Sequence, residues 1–354
     1  MNLLARAARE AETAVAWGYQ GLRLLSGIDD LPPHESPREA VYTSGKTTLW
    51  RYTSNPPGGR PPLLIVHSLV SRSSVYDLAP GNSVVEQLVA AGFDVFLADW
   101  GVPDELESGN TLETYCDDLL PRIVEEVLLA SQAETVQLFG YCFGAVLALL
   151  YLAGHPSAPV SSLAVMATPI DFHNMGPFST LLRYGRVDPS SLLDHTGNVP
   201  GDTIFKGMQH LTPLAALVSN VGLLQHLRDP DYVALHQRTM GWARDHIPFP
   251  GACMLQVVEL FFRDNALSSG AVRLNGRVVR LRDITVPFLS VTGARDHMVP
   301  TRASSGLASL VGSANAGELV LQAGHAGLLV GHAAQRKHLP ALIAWLQAPT
   351  APTS

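Results

Sequence analysis

The stretch QLFGYCFGAVLAL, residues 137–149, decides the fold, because a short apolar run leads into a cysteine held between two glycines. Its pentapeptide G-Y-C-F-G at 140–144 matches the G-x-S-x-G nucleophile elbow, with cysteine in place of serine. In that elbow the nucleophile lies on a strained turn between a strand and a helix, where side chains at 140 and 144 would collide with backbone. The competing interpretation is a small buried cysteine beside two packing glycines, because short motifs also match by chance.

A nucleophilic Cys142 would stand just before a helix, where the helix dipole favours a thiolate. The backbone amide of Phe143 then points to where an oxyanion would form. A second oxyanion amide is needed from the loop after the early apolar strand at 62–67, and we expect Leu69 to supply it. His67, at the end of that strand, is expected to be a structural residue.

Two further residues follow predicted strands in the order that a hydrolase triad requires. Asp296 follows the strand at 287–293, and the glycine-flanked His325 follows the strand at 318–322. Alone, each has an ordinary interpretation, as a turn aspartate that satisfies local amides or as a surface-loop histidine. Nucleophile, acid and base in this order, each just beyond a strand end, are hard to obtain by chance. We therefore predict a triad of Cys142, Asp296 and His325 at the carboxyl edge of the sheet.

Short apolar segments alternate with helical patterns along most of the chain. The segments are bounded by turn residues, which is typical of strands covered on both faces. They are PLLIVH (62–67), DVFLAD (94–99), TVQLF (135–139), SLAVMAT (162–168), PFLSVTG (287–293) and ELVLQ (318–322), and helical patterns lie at 82–92, 111–130, 145–154 and 338–348. The alternation predicts a doubly wound, mostly parallel sheet. Together with the elbow, it predicts an α/β-hydrolase fold.

The alternation fails between about 172 and 285, where helical patterns and loops dominate. One hairpin is indicated there by Asn275-Gly276, since both residues tolerate the positive φ of a type I′ turn. Because structureless connections of this length are rare in compact domains, we predict a mainly helical cap. The expected organisation is an N-terminal helical segment at 1–40, a core at 41–171 and 286–354, and the cap insertion at 172–285.

Composition narrows the classes of function. Of the 354 residues, 47% are hydrophobic, so a sizeable core is expected. The net charge of -7 gives no indication of the basic face that a nucleic-acid-binding protein would have. The three cysteines lack paired spacing, which argues against disulfides and against a zinc site, so no metal is expected. Few and unpaired cysteines also fit a reducing cytoplasm. Charged residues interrupt the N-terminal apolar pattern, against a signal peptide. The longest apolar run, at 145–153, is too short for a transmembrane segment.

Three other candidate residues receive structural or accessory roles. Cys116 and Cys253 lie on apolar helical patterns and are expected in the core. His297, beside Asp296, is expected at most to support the site or to contact substrate, because one thiol does not need two bases.

Beyond these residues, long stretches resemble the polyhydroxyalkanoate synthases, most closely their short, two-subunit (class III-like) catalytic subunit. Because other hydrolases share the triad, agreement over linker and cap segments is the more specific part. The matching stretches are VHSLVSRSSVYDLAPGNSVVEQL (66–88), DVFLADWGVPDE (94–105), TLETYCDD (111–118), FGYCFGA (139–145), ATPIDFHNMGP (167–177), FPGACM (249–254), RDNALSSGAVRLNGRVVRLRDI (263–284), RDHMVP (295–300) and GHAGLLVG (324–331).

The resemblance implies an α/β-hydrolase core with a mobile cap, an acyltransferase that polymerises (R)-3-hydroxyacyl-CoA into polyester with release of coenzyme A. By matching motif, Cys142 is the nucleophile, Asp296 the acid and His325 the base. No cofactor is expected, because the coenzyme A thioester is the substrate. The partners implied are that thioester, the growing polyester chain and a second, non-catalytic subunit, and a homo-oligomer is also expected. The expected location is the cytoplasm, at the surface of polymer granules.

Two other functions stay open on sequence alone. One is a cysteine hydrolase of the thioesterase, depolymerase or dienelactone-hydrolase type, because water could replace the hydroxyl acceptor. Dienelactone-hydrolase-like enzymes carry a G-Y-C-x-G box but lack an insertion of this size. The other is a non-catalytic granule-associated scaffold, against which the intact set of Cys142, Asp296 and His325 argues.

Overall fold

The computed structural model describes residues 34–53, 59–211 and 221–348, together with Gly18, Gly21 and Leu31. Most of the predicted N-terminal helical segment, 1–40, therefore lies outside the described residues. The predicted cap also contains a helical sequence pattern at 211–227, and most of that pattern lies outside the described residues as well. Within the N-terminal segment Gly18 and Gly21 are helical, whereas residues 34–38 are not helical and a strand begins at Glu39. The core sheet thus starts slightly before the predicted boundary.

An eight-stranded sheet forms the centre of the described core, in the order β1-β2-β4-β3-β5-β6-β7-β8. The strands are β1 (Glu39–Ser44), β2 (Thr47–Tyr52), β3 (Leu63–Val66), β4 (Val95–Asp99), β5 (Val136–Tyr141), β6 (Val160–Met166), β7 (Phe288–Gly293) and β8 (Ala316–Leu321). Strands β3 to β8 pair in parallel, and β2 is antiparallel to both of its neighbours. The predicted mostly parallel, doubly wound sheet is confirmed, as are all of the strands predicted from apolar segments.

Strands β1 and β2 were not predicted, because neither has a continuous apolar run. They form an antiparallel edge, in which β1 is largely exposed and β2 alternates between buried and half-buried residues. Sheet edges that face water on one side lack the uniform hydrophobicity of central parallel strands. Their sequence therefore gives a weaker signal than that of the buried strands.

The central strands are covered on both faces, as β3 shows. Leu64 and Val66 belong to one hydrophobic cluster and Leu63 and Ile65 to another, and all four are fully buried. Because successive side chains of a strand point to opposite faces, the two clusters lie on opposite sides of the sheet. This arrangement explains why the strand sequence is apolar at every position.

The helices follow the predicted pattern. They are α1 (Val84–Ala90), α2 (Leu120–Ser131), α3 (Phe143–Gly154), α4 (Pro177–Arg183), α5 (Gly201–Leu211), α6 (Pro230–Arg244), α7 (Gly251–Val257), α8 (Thr301–Ser304), α9 (Leu307–Leu310) and α10 (Leu339–Gln347), with π-helical segments at Thr114–Leu119, Val258–Arg263 and Ala334–His338. Within the helical pattern predicted at 111–130, the winding changes from π-helical to α-helical just before Pro121. This change puts the proline in the first turn of α2, where no N–H is required.

The cap insertion joins β6 to β7 and contains α4 to α7. Helix α6 begins at Pro230 because the side chain of Asp229 accepts hydrogen bonds from the next free amides, those of Asp231 and Tyr232. The predicted hairpin is confirmed, since Ala271–Leu274 pairs with Arg277–Arg280 across Asn275 and Gly276, which have φ of 49° and 73°. The insertion is mainly helical, as predicted.

Two of the three cysteines lie in the core. Cys116 and Cys253 are both fully buried in the hydrophobic cluster that contains α3, which confirms their predicted placement. Among the described residues, no helix combines the length and the apolar character that a membrane span requires.

Candidate active site

The backbone at Cys142 is strained where the sequence predicts an elbow. Cys142 directly follows β5 and precedes α3, with φ of 55° and ψ of -124°. A conformation that L-residues rarely adopt costs about 1–3 kcal/mol and persists only when its surroundings enforce it. Here the Cys142 amide donates to the carbonyl oxygen of Met166 at 2.9 Å, and its own carbonyl accepts from Ala145 at 3.1 Å. Packing of a small cysteine does not require such strain, so the elbow interpretation is favoured.

The two flanking glycines are required by close backbone contacts. A Cβ at Gly144 would lie 2.1 Å from the carbonyl oxygen of Val66, and one at Gly140 would lie 2.5 Å from the Cα of Ala145. Both distances are far below van der Waals contact, which confirms the collision predicted from the motif. The absence of these side chains lets α3 pack directly on the end of β3, so the loop after β3 lies beside the nucleophile.

Asp296 and His325 meet at the same edge of the sheet, beyond β7 and β8. The Nδ1 atom of His325 lies 2.7 Å from Oδ2 of Asp296, whose side chain is fully buried. The other carboxylate oxygen accepts hydrogen bonds from the amides of Met298 at 2.9 Å and Val299 at 2.8 Å. Asp296 therefore satisfies local amides and orients the histidine at the same time, with both oxygens occupied.

The charges around His325 favour its protonated form. Burial on its own would lower the pKa of His325, but the negative charges of Asp296 and Cys142, and hydrogen bonds with both side chains, raise that pKa well above 6.5. Because Nδ1 is bonded to Asp296, Nε2 is the nitrogen that remains for the thiol of Cys142. A histidine with these two neighbours is suited to take a proton from the thiol.

Tyr141, to which the sequence assigned no role, contacts His325, the predicted base. Its hydroxyl donates to the backbone oxygen of His325 at 3.1 Å, and the two ring centroids are 5.0 Å apart. Tyr141 occupies the variable position between Gly140 and Cys142 of the motif, so the motif assigns it no role. The available sequence signal was its position as the last residue of β5, at the strand end. Its contact with His325, which follows β8, depends on the tertiary fold.

The two predicted oxyanion residues lie on the elements that should carry them, and their role as donors stays a prediction. Phe143 is the first residue of α3, where amides lack an intrahelical acceptor, and Leu69 is buried in the loop after β3. His67 braces that loop, since its Nε2 donates to the Ser71 oxygen at 2.6 Å and its own oxygen accepts from Trp100 Nε1 at 2.8 Å.

His297 points away from the buried acid next to it. Its side chain is exposed, whereas that of Asp296 is buried. A supporting or substrate-contacting role for His297 therefore stays a prediction. Across the ranges that the structure describes, no three His, Cys, Asp or Glu side chains are grouped so that they could hold a metal ion.

The cap is fastened to the loop beside the nucleophile. Trp242 Nε1 at the end of α6 donates to the backbone oxygen of Arg72 at 2.9 Å, and the guanidinium of Arg72 forms an ion pair with Asp245. We call Arg72, Trp242 and Asp245 the cap anchor. From the cap, Phe249 packs edge-on against Phe143 with ring centroids 5.7 Å apart. Apolar cap residues thus cover the elbow.

The chain is similar to known proteins along most of its length. Residues 61–196 match a family model described as alpha/beta hydrolase fold. The chain is 34% identical to the poly(3-hydroxyalkanoate) polymerase subunit PhaC of Allochromatium vinosum, over 92% of this chain and 93% of that protein. It is 32% identical to the subunit of the same name from Thiocystis violacea, over 92% of both chains.

Solved structures agree on the fold alone. A thermophilic esterase from Thermogutta terrifontis superposes with a TM-score of 0.54 at 17% identity, over 89% of this chain and all of that one (100%). A monoacylglycerol lipase from Paleococcus ferrophilus gives a TM-score of 0.51 at 17% identity, over 85% of this chain and 98% of that one. Because the similarity extends along nearly the whole sequence, the chain belongs to the poly(3-hydroxyalkanoate) polymerase subunit PhaC family of acyltransferase-type enzymes, and it has an α/β-hydrolase fold.

Proposed function

We propose that this protein polymerises (R)-3-hydroxyacyl groups from coenzyme A thioesters into polyhydroxyalkanoate, through an acyl group carried on Cys142. One observation carries the proposal. The chain belongs to the polymerase family, and its Cys142 lies on a strained elbow. The Nδ1 atom of His325, the proposed base for this cysteine, lies 2.7 Å from Oδ2 of the buried Asp296. A nucleophile, a base and an orienting group in this relation are the general arrangement for covalent acyl transfer.

In the first step Nε2 of His325 takes the thiol proton, and the sulfur of Cys142 attacks the thioester carbonyl. The bond from that carbonyl to the coenzyme A sulfur breaks, and coenzyme A leaves as a thiol with the proton from His325. One thioester replaces another, so the step is nearly isoenergetic and the bound acyl group stays reactive. The amides of Phe143 and Leu69 are the proposed donors to the oxyanion that forms at the carbonyl.

In the second step a hydroxyl group replaces the cysteine. His325 takes the proton of the 3-hydroxyl of another unit or of the chain end, and the oxygen attacks the carbonyl held on Cys142. The carbon–sulfur bond breaks, an ester forms, and the thiolate recovers the proton from His325. The hydrogen bonds that Asp296 accepts from His325 and from two backbone amides support an orienting role for it.

The cap favours transfer to a hydroxyl over loss to water. Leu235 and Trp242 from the cap pack against the same apolar cluster as Cys142, and Phe249 covers Phe143. Restricting water around a reactive acyl group suppresses its hydrolysis. A second, non-catalytic subunit, a homo-oligomer and a cytoplasmic location at granule surfaces complete the proposal, and they rest on the resemblance to the short, two-subunit type.

The test uses purified protein and (R)-3-hydroxybutyryl-coenzyme A, with thiol release followed and the product sized. We expect high-mass polyester, and no thiol release from Cys142→Ala. Free 3-hydroxybutyrate in amounts equal to the released thiol would identify a thioesterase instead. Turnover by Cys142→Ala at the wild-type rate would refute the assignment of the nucleophile.

A further inference from the structure

The hydroxyl of Tyr76 is buried and has no hydrogen-bond partner among the described residues. Tyr76 ends the short 3-10 helix Ser73–Tyr76 in the segment after β3, and its side chain is fully buried. Two more buried polar atoms in the same segment, Nδ1 of His67 and Oγ of Ser68, also lack a partner there. A buried hydroxyl without a partner costs about 1–3 kcal/mol. Such groups are rare in folded proteins and call for an explanation.

Tyr76 lies in the wall beside the nucleophile. Its ring packs edge-on against His67, with centroids 5.6 Å apart and planes at 82°. The backbone of His67 lies against α3 so closely that a Cβ on Gly144 would be 2.7 Å from its carbonyl carbon. Tyr76 and Tyr141 also belong to the apolar cluster against which Cys142 packs. The unpaired hydroxyl is therefore part of the surroundings of Cys142.

Tyr76 is held as a hydrogen-bond donor. Burial, and after it the negative charge of nearby Cys142, raise the pKa of Tyr76 far above its ordinary value of 10.0. A raised pKa favours the protonated hydroxyl, which can donate a hydrogen bond. The apolar cluster that contains Tyr76 also includes Ala167, and Leu235 and Trp242 from the cap pack against it. A hydrogen-bond donor in a mostly apolar wall is a usual means by which a pocket recognises an oxygen atom.

We infer that Tyr76 determines specificity, by donating a hydrogen bond to the oxygen on carbon 3 of the acyl group attached to Cys142. The inference rests on the proposed function, since an acyl group on that sulfur brings its third carbon next to the surrounding wall. The acceptor is the same whether the oxygen is a free hydroxyl of the first unit or an ester oxygen of the growing chain. A thioester without this oxygen leaves the donor unpaired, which is how enzymes reject analogues that lack a hydroxyl.

The test compares acylation of the protein by (R)-3-hydroxybutyryl-coenzyme A and by butyryl-coenzyme A. Single-turnover thiol release and the mass of the acylated protein are measured for wild type and Tyr76→Phe, over times long enough for the slower substrate. We expect the hydroxylated thioester to acylate Tyr76→Phe about tenfold more slowly than wild type. This factor corresponds to the loss of one hydrogen bond. Acylation by butyryl-coenzyme A should be unchanged. The melting temperature should stay the same or rise, because an unpaired buried hydroxyl is removed.

Tyr115→Phe is the matched control. Tyr115 is 2% exposed, and its ring packs against Trp100 in the other hydrophobic cluster. This substitution also removes one buried tyrosine hydroxyl, and it should leave the preference between the two thioesters unchanged.

Two results separate failure of this inference from failure of the proposed function. If wild type is acylated and Tyr76→Phe keeps the wild-type preference, or slows equally with both thioesters, the specificity role of Tyr76 is refuted and the proposed function stands. If wild type releases coenzyme A from neither thioester, the proposed function is itself overturned, and the role of Tyr76 falls with it.

Discussion

Replacing Asp296 with asparagine separates orientation of the base from stability of the fold. The carboxylate accepts hydrogen bonds from His325 Nδ1 at 2.7 Å and from the amides of Met298 and Val299 at 2.9 and 2.8 Å. Asparagine keeps the shape, and its oxygen can still accept both amide bonds. Its NH₂ group then faces Nδ1, so the imidazole must carry its proton on Nε2. In that tautomer His325 cannot take the proton of Cys142.

The loss of turnover should be much larger than the loss of stability. A hydrogen bond to a charged group contributes about 1.5–3 kcal/mol, and the free energy of unfolding should fall by about that amount. The corresponding substitution in a serine-protease triad, which leaves the histidine in the wrong tautomer, lowers turnover about 10⁴-fold. That factor is equivalent to about 5.4 kcal/mol of activation free energy. A structural role alone would not produce this difference.

The assay measures thiol release from (R)-3-hydroxybutyryl-coenzyme A and urea unfolding, side by side, for wild type, Asp296→Asn and Asp171→Asn. Asp171 is a matched turn aspartate, since it accepts hydrogen bonds from the amide of His173 at 3.1 Å and from the side chain of Asn265 at 2.9 Å. Asp171→Asn should lose some stability and keep near wild-type turnover. If Asp296→Asn keeps more than about a tenth of wild-type turnover, Asp296 is only a turn residue and the reasoning is wrong.

Three further outcomes follow from the geometry. Because the pKa of folded His325 is raised above 6.5, its stabilisation is complete below about pH 6.5 and is lost as pH rises through the folded-state pKa, so the difference between wild type and Asp296→Asn in urea unfolding should become smaller at alkaline pH. Gly144→Ala should lower the free energy of unfolding by about 1–3 kcal/mol or more, since its Cβ would lie 2.1 Å from a backbone oxygen of β3. Gly207→Ala, a helix position with nothing within 4 Å of its Cβ, should instead raise it by roughly 0.5–1 kcal/mol, and equal effects in thermal unfolding would contradict the packing argument. Trp242→Phe removes the 2.9 Å bond to Arg72, so the product should shift from polyester toward free acid; an unchanged product ratio would show that the cap anchor does not control water.

The elbow and the strands that lead to it could be predicted because their requirements are local. A nucleophile between a strand and a helix needs glycine where backbones approach, and the distances at Gly140 and Gly144 show that the requirement is met. Strands covered on both faces are apolar at every position, as in β3, so the parallel part of the sheet is visible in the sequence. The edge strands β1 and β2 were not predicted, because their surroundings are only half apolar.

Order along the chain also located Asp296 and His325, because residues that follow parallel strands reach one edge of the sheet. The sequence could not show whether the carboxylate of Asp296 bonds to the amides of its own turn or to the histidine. Only the packing of β7 beside β8 shows that Asp296 serves both.

What the sequence by itself determined, then, is the α/β class of the fold, the elbow at Cys142 and the chain order of its two partners. Only the tertiary structure decided that Tyr141 supports His325, that Trp242 fastens the cap, and that the hydroxyl of Tyr76 is buried near Cys142 with no hydrogen-bond partner in the part of the chain that the structure describes. The physical reason is distance along the chain. Local patterns record what a residue needs from its own helix, strand or turn, whereas these contacts join separate elements and depend on how the whole core packs.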